Sequence, residues 1–175
     1  MKPTVSQLLD LLNKPALIKW ANKIGLEGKE IDIERRSRLN AGTSIHNQIS
    51  QFVINQTPFK NKSDQDNYLS FISDKEVLEV ENRIETEWFT GIYDMRLKWN
   101  NKIYVVDFKN NSKRIYFENK LQLIAYSMGV QCDNLAIISV PSFNIMDFDP
   151  VAKVYYEEIL ICLSRIYTLK TYLHE

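Results

Sequence analysis

Asp107 and Lys109 stand two residues apart at the end of the apolar run Lys102-Ile-Tyr-Val-Val-Asp-Phe-Lys109. In a strand, residues two apart lie on one face, so a carboxylate and an ammonium would sit side by side. Upstream, Gly91-Ile-Tyr-Asp94 offers a second acid, and Gly42-Thr-Ser-Ile-His46 offers an imidazole on a predicted helix. Downstream, Gln122 and Tyr126 are spaced to share a helix face. These types suit the hydrolysis of phosphodiesters, which needs a nucleophilic hydroxide at neutral pH and relief of charge on the phosphate oxygens. Asp94 and Asp107 are hard ligands that select magnesium or manganese. Adding His46 shifts the preference toward manganese and opens the site to inhibitory zinc or nickel. Lys109 is placed to hold the attacking water or to offset charge in the transition state.

Each motif alone has a plainer reading. Asp-x-Lys at a strand end can be an exposed ion pair contributing ~0 to 1 kcal/mol. Gly91 can mark a bulge or a close approach in a strand, His46 can be structural, and Gln122 with Tyr126 can be a surface or core pair. Joint occurrence in this order is what points to chemistry.

The elements that must position these residues follow from periodicity. Helical apolar spacing covers Val5 to Asn13, and Pro15 opens a second helix ending at Gly25. Glu30 to Leu39 reads as a third, and Thr43 or Ser44 caps a fourth through His46, Ile49, Val53 and Ile54. A short helix begins at Ser63, after which the period changes to 2. Val77 to Thr86, Phe89 to Trp99 and Lys102 to Lys109 read as an antiparallel meander with Asn100-Asn101 as its tight turn. A helix from about Glu118 to Met128, closed by Gly129, leads to the wholly apolar strand Leu135 to Val140, predicted to be buried on both faces. Asp149-Pro150 then opens a long helix through Leu169.

Length and composition frame a single α/β domain over residues 1–175: 45% hydrophobic and 25% charged residues are ordinary for a globular chain. No apolar run reaches the ~20 residues of a membrane span, and no signal-peptide pattern opens the chain, so an intracellular, non-secreted protein with no membrane partner is expected. Cys132 and Cys162 are the only cysteines, too few for a four-cysteine iron–sulfur cluster, and read as small core residues. The 22 basic and 22 acidic residues cancel, so any basic groove for DNA must be local. Arg35, Arg36 and Arg38 with Lys29, and Lys113, Arg114 and Lys120, are candidates to line one. Trp88, Phe89, Tyr93 and Tyr116 are candidates to stack unpaired bases, although Tyr93 alternates with core positions and reads as structural.

The helix-strand-strand-strand-helix-strand order carrying Gly-x-x-Asp94, Asp107-x-Lys109 and Gln122-x-x-x-Tyr126 resembles the PD-(D/E)XK nuclease superfamily. The histidine motif before the strands and the Gln-x-x-x-Tyr motif after them are similar to its RecB-type branch, over roughly His46 to Val140. The resemblance implies a restriction-endonuclease-like αβββαβ core, a central mixed sheet flanked by helices, with a helical extension over residues 1–55. Within it, residues 76–140 would form the catalytic core and 149–173 a C-terminal helix. It implies that His46, Asp94, Asp107 and the Phe108 carbonyl are metal ligands and that Lys109 is the catalytic lysine. Gln122 and Tyr126 would support the site and contact DNA. A first-strand glutamate is part of the family pattern; Glu81 fits it best, with Glu79 and Glu85 as competitors. The chain departs from many members in lacking the four cluster cysteines, which favours the cluster-free exonucleases. It also has Asn110 where a threonine or serine often follows the lysine. In such exonucleases the leading helices arch over the site, making a passage for single-stranded DNA.

The expectation is therefore a magnesium- or manganese-dependent deoxyribonuclease without an iron–sulfur cluster, an exonuclease on single-stranded DNA or DNA ends. The alternatives are a noncatalytic DNA-binding or interaction module of the same fold and a structure-specific endonuclease.

Overall fold

The switch from helical to alternating apolar spacing near residue 75 divides a helical N-terminal segment from a sheet. The computed structural model describes residues 2–12, 15–110, 114–146 and 152–173, with only the backbone of 15, 16 and 37–44. Four helices come first, α1 (Val5–Leu9), α2 (Pro15–Leu26), α3 (Ile31–Asn55) and α4 (Lys62–Ile72). Strands β1 (Glu76–Glu85), β2 (Thr90–Trp99) and β3 (Lys102–Asn110) follow, then α5 (Phe117–Gly129), β4 (Asn134–Val140), β5 (Asn144–Met146) and α6 (Lys153–Leu173).

The strands form one five-stranded sheet in the order β1-β2-β3-β4-β5. β1 to β3 are the expected meander, β4 joins β3 in parallel after the α5 crossover, and β5 returns antiparallel on β4. The protein is thus α/β with a mixed sheet flanked by helices. The β2–β3 turn works as read: Asn100 and Asn101 have φ of 50° and 58°, as a two-residue hairpin demands, and asparagine tolerates that region. At the other hairpin the Thr86 hydroxyl accepts from the Trp88 and Phe89 backbone N–H groups and donates to the Phe89 carbonyl.

Each face of the sheet buries its own apolar cluster. Val5, Leu8, Leu9, Ile84, Val105, Leu121, Ile124, Ile137 and Leu160 join α1, α5 and α6 to one face. Ile45, Ile49, Tyr68, Phe71, Met95, Val106, Phe108 and Ile138 join α3 and α4 to the other. Covered on both sides, β4 is buried from Ala136 to Val140, as its continuous apolar run predicts.

Three expectations change. Residues 31–55 form one 25-residue helix, so neither Thr43 nor Ser44 starts a separate one; no proline interrupts the segment, and Gly42 alone does not stop it. Gly129 is the last helical residue and not a left-handed cap, since the chain leaves through Val130 in extended conformation. What demands glycine there is packing, for a Cβ would lie 2.7 Å from Ile84 Cβ. Cys162 is exposed, whereas Cys132 is half-buried against the α5–α6 side. α1 packs into the core beside α5 and α6, while α2 leans on α3. The Asp149-Pro150 cap lies outside the described residues. No helix among the described residues is long and apolar enough to cross a membrane.

Candidate active site

The antiparallel ladder between β2 and β3 runs from Trp99–Lys102 to Met95–Val106 and stops there. Beyond it the Phe108 N–H donates to the Asp94 carboxylate, Oδ2, at 2.7 Å. The strands therefore part at Asp94 and Asp107, and a side chain takes the place of a ladder bond. β1 stays paired with β2 to Glu85–Thr90, and β3 stays paired with β4 to Asn110–Val140. The fork opens between them, in the middle of the sheet.

Asp107 and Lys109 share the β3 face toward α5, as the period of 2 requires. Lys109 Nζ lies 2.7 Å from Asp107 Oδ2 and donates to Gln122 Oε1 at 2.8 Å. The Gln122 amide in turn donates to the Tyr126 hydroxyl oxygen at 2.7 Å. Helical i, i+4 spacing makes this last bond, and the β3–α5 crossover brings it to the lysine. Gly91 lets the layers close, because a Cβ there would come within 3.0 Å of Val5 and 3.2 Å of Tyr126.

His46 approaches from α3 on the opposite face. Its ring meets the Phe108 ring edge-on, with centroids 5.8 Å apart, and Nδ1 is 3.5 Å from Asp94 Oδ1. Burial lowers the imidazole's affinity for a proton, but the Asp94 carboxylate, with Asp107 beyond it, outweighs this and leaves the pKa raised. Asp107 is only 1% exposed. Burial pushes its carboxyl up to about 6, aided by the negative charge of Asp94 and opposed by the Lys109 ammonium. Burial also raises the Tyr126 hydroxyl, followed by the charge of Asp107, so Tyr126 stays a proton donor.

Asp107 Oδ2 has the Lys109 ammonium, 2.7 Å away, as its counterion. Among the described residues no three His, Cys, Asp or Glu side chains already converge as a metal-binding group. The donor set nevertheless fits a dication. Two carboxylates, Asp94 and Asp107, meet at the fork with the one ammonium of Lys109 beside Asp107, which leaves negative charge for a cation to offset. The 3.5 Å between His46 Nδ1 and Asp94 Oδ1 is long for a hydrogen bond and close to the ~3 Å between adjacent ligands of an octahedral ion with ~2.1 Å bonds.

The other expected residues are placed as follows. The Phe108 side chain is core, so only its carbonyl is open to a ligand role. Glu81 is exposed, with a left-handed φ of 47° that strains a non-glycine residue, and its neighbours Val80 and Asn82 pair with Met95 and Tyr93 around Asp94. Its competitors are engaged elsewhere: Glu79 accepts from the Tyr93 hydroxyl and faces Arg96, and Glu85 pairs with Lys2 at 3.0 Å. Arg35 and Arg36 are exposed on α3, ten or so residues from His46 and hence roughly 15 Å along the axis. Arg114 is exposed and lies over the Tyr116 ring at 4.8 Å. Lys120 is half-buried on α5, and Lys29 pairs with Glu27 at 3.0 Å. Lys113 and the Arg38 side chain lie outside the described residues. Phe89 and Tyr93 are buried and unable to stack on bases, because both serve the α1–α5 core; Trp88 is half-buried under Arg165. Of the aromatic candidates, Tyr116 remains exposed.

One feature escaped the sequence: a cleft of about 440 Å³ walled by Tyr126, Arg83 and Ile92 with Thr4, Ser6 and Thr90. Its walls come from four separate segments, which no local pattern joins.

No protein-family model matches the chain, and no curated protein does. A solved structure described as "Crystal structure of SSO0001" is similar over 74% of this chain and 70% of that one, at 17% identity and a TM-score of 0.31. A likeness of that size carries no argument about function.

Proposed function

We propose that the protein is a divalent-metal-dependent deoxyribonuclease of the PD-(D/E)XK superfamily, RecB-type branch, with a restriction-endonuclease-like core, and that it acts as an exonuclease on single-stranded DNA or DNA ends. The observation that carries this reading is the Lys109 ammonium held between the buried Asp107 carboxylate and the Gln122–Tyr126 pair, at a fork where Asp94 and His46 converge from the other side. A plain surface ion pair needs neither the burial nor the relay. A buried carboxylate with a raised pKa at an open strand fork is what a hydrolytic metal site requires.

Magnesium or manganese held by Asp94, Asp107, His46 and the Phe108 carbonyl, with Glu81 as a candidate further donor, would supply an activated water and relief of phosphate charge. The chain's own residues do the rest. The Phe108 N–H fixes one oxygen of Asp94 and leaves the other toward His46. Gln122, aligned by Tyr126, holds the Lys109 ammonium in place, so that it meets developing negative charge without reorganising. Arg35, Arg36, Lys113 and Arg114 are proposed to take phosphates farther along the strand.

The direct test is the product ladder from end-labelled single-stranded, duplex and covalently closed circular DNA with magnesium or manganese. Mononucleotide-scale products from linear single strands with the circle untouched are expected. Cleavage of the circle would make it an endonuclease, and no cleavage of any substrate with either metal would sink the assignment. His46→Ala should reduce the magnesium and manganese reactions to different extents, because it removes the one softer neutral donor. Equal, parent-like rates in both metals would return His46 to a structural role.

A further inference from the structure

We propose that the cleft beside Tyr126 binds a phosphate of the nucleic-acid strand adjacent to the one being cut, with Arg83 as its cation; this rests on the nuclease reading above. At about 440 Å³ the cleft is within the range of small-ligand sites. No carboxylate lines it, and its polar groups can all donate: the Arg83 guanidinium and the Thr4, Ser6 and Thr90 hydroxyls. Thr4 Oγ1 accepts from the Gln7 N–H, which leaves its proton to give. Arg83 is barely engaged. Its Nη2 is 4.0 Å from a Glu85 oxygen, while Glu85 is already paired with Lys2 at 3.0 Å.

Tyr126 joins the cleft to the chemistry. Its hydroxyl oxygen accepts from Gln122, and Gln122 accepts from Lys109. Among the described residues the hydroxyl oxygen serves as an acceptor, and burial keeps its proton in place to be donated. A strand seated in the cleft would therefore be tied, through two hydrogen bonds, to the position of the reacting lysine. This gives register, which an exonuclease needs to place each successive linkage.

The experiment measures binding of a fluorescent single-stranded oligonucleotide, with and without a terminal phosphate, to Lys109→Ala protein with manganese, over a range of salt. Parent cleavage is assayed alongside. Adding Arg83→Gln should weaken binding about tenfold, the loss expected for one charge-assisted contact, and lower the salt slope by ~0.7. Ser6→Glu should weaken it comparably by putting an anion into the cleft, without harming α1, since an acid in a first turn suits the helix dipole. An effect on both oligonucleotides assigns an internal phosphodiester, and one confined to the phosphorylated oligonucleotide assigns a strand end. Both outcomes support the proposal. If the parent cleaves but both variants bind with unchanged affinity and slope, the cleft proposal falls and the nuclease reading stands. If the parent neither cleaves nor binds with either metal, both fall. Arg83 is two-thirds exposed at its side chain, so its variant will fold and decides the matter even if Ser6→Glu does not.

Discussion

Lys109→Ala will bind single-stranded DNA with metal present and cut it ~10² to 10³-fold more slowly, the scale of removing one preorganised stabilising group. The ammonium is held by Asp107 at 2.7 Å and Gln122 at 2.8 Å, so its position is set before substrate arrives. A group that acts mainly in the transition state lowers kcat and leaves substrate affinity comparatively intact. Removal also leaves the buried Asp107 charge without its counterion, so the metal-free variant should melt earlier than the parent at neutral pH and recover on adding manganese. Single-turnover cleavage and a melting curve with and without manganese check both halves. Parent-like cleavage would reduce Asp-x-Lys to an ion pair. Failure to fold even with metal would make Lys109 structural.

Asp107→Asn will abolish detectable cleavage and manganese binding, yet leave the metal-free protein at least as stable as the parent above pH 6. Because burial raises the Asp107 pKa from 3.8 to about 6, the folded state holds this proton more tightly than the unfolded chain does. Its contribution to stability is complete below pH ~4 and lost as pH rises through about 6. The raised His46 pKa has the same sign, its contribution fading as pH rises through that value. Metal-free parent should therefore weaken as pH climbs from 4 to 8, by roughly 1 to 3 kcal/mol from Asp107. Asp107→Asn should flatten that decline, leaving the part due to His46. A neutral side chain removes a buried charge that the proposed metal would need, the usual exchange of stability for function. Metal affinity should rise with pH over the same window, since binding displaces those protons. Calorimetry with manganese for Asp107→Asn and Asp94→Asn decides the ligand set: unchanged affinity in both would overturn it.

Much of this was readable along the chain because it is local. Alternating Val105, Asp107 and Lys109 in an apolar run define a strand face wherever the strand goes. Gln122 and Tyr126 hydrogen-bond across one helical turn, and Asn100-Asn101 make a tight turn with few alternatives. The helix-strand order follows from the same periods. Less local features were misread or missed. The α3 helix runs through Gly42-Thr-Ser because packing of Ile45 and Ile49 on the sheet outweighs weak propensities, and β5 has only three residues with no buried one to betray it. The exposed Cys162 and buried Phe89 reflect which helix covers which face, which composition does not encode, whereas the burial of Tyr93 follows from its alternation with core positions.

By itself, then, the sequence determined the set of chemical groups and the elements that carry them, because side-chain direction within a strand or helix is set by backbone geometry a few residues long. Only the tertiary structure decided that β2 and β3 part at Asp94, that Asp107 is buried against the Lys109 ammonium, and that Arg83, Ser6 and Tyr126 wall one cleft. Burial and encounter depend on pairing between distant segments, and the electrostatics that make a carboxylate reactive exist only after that pairing has excluded water.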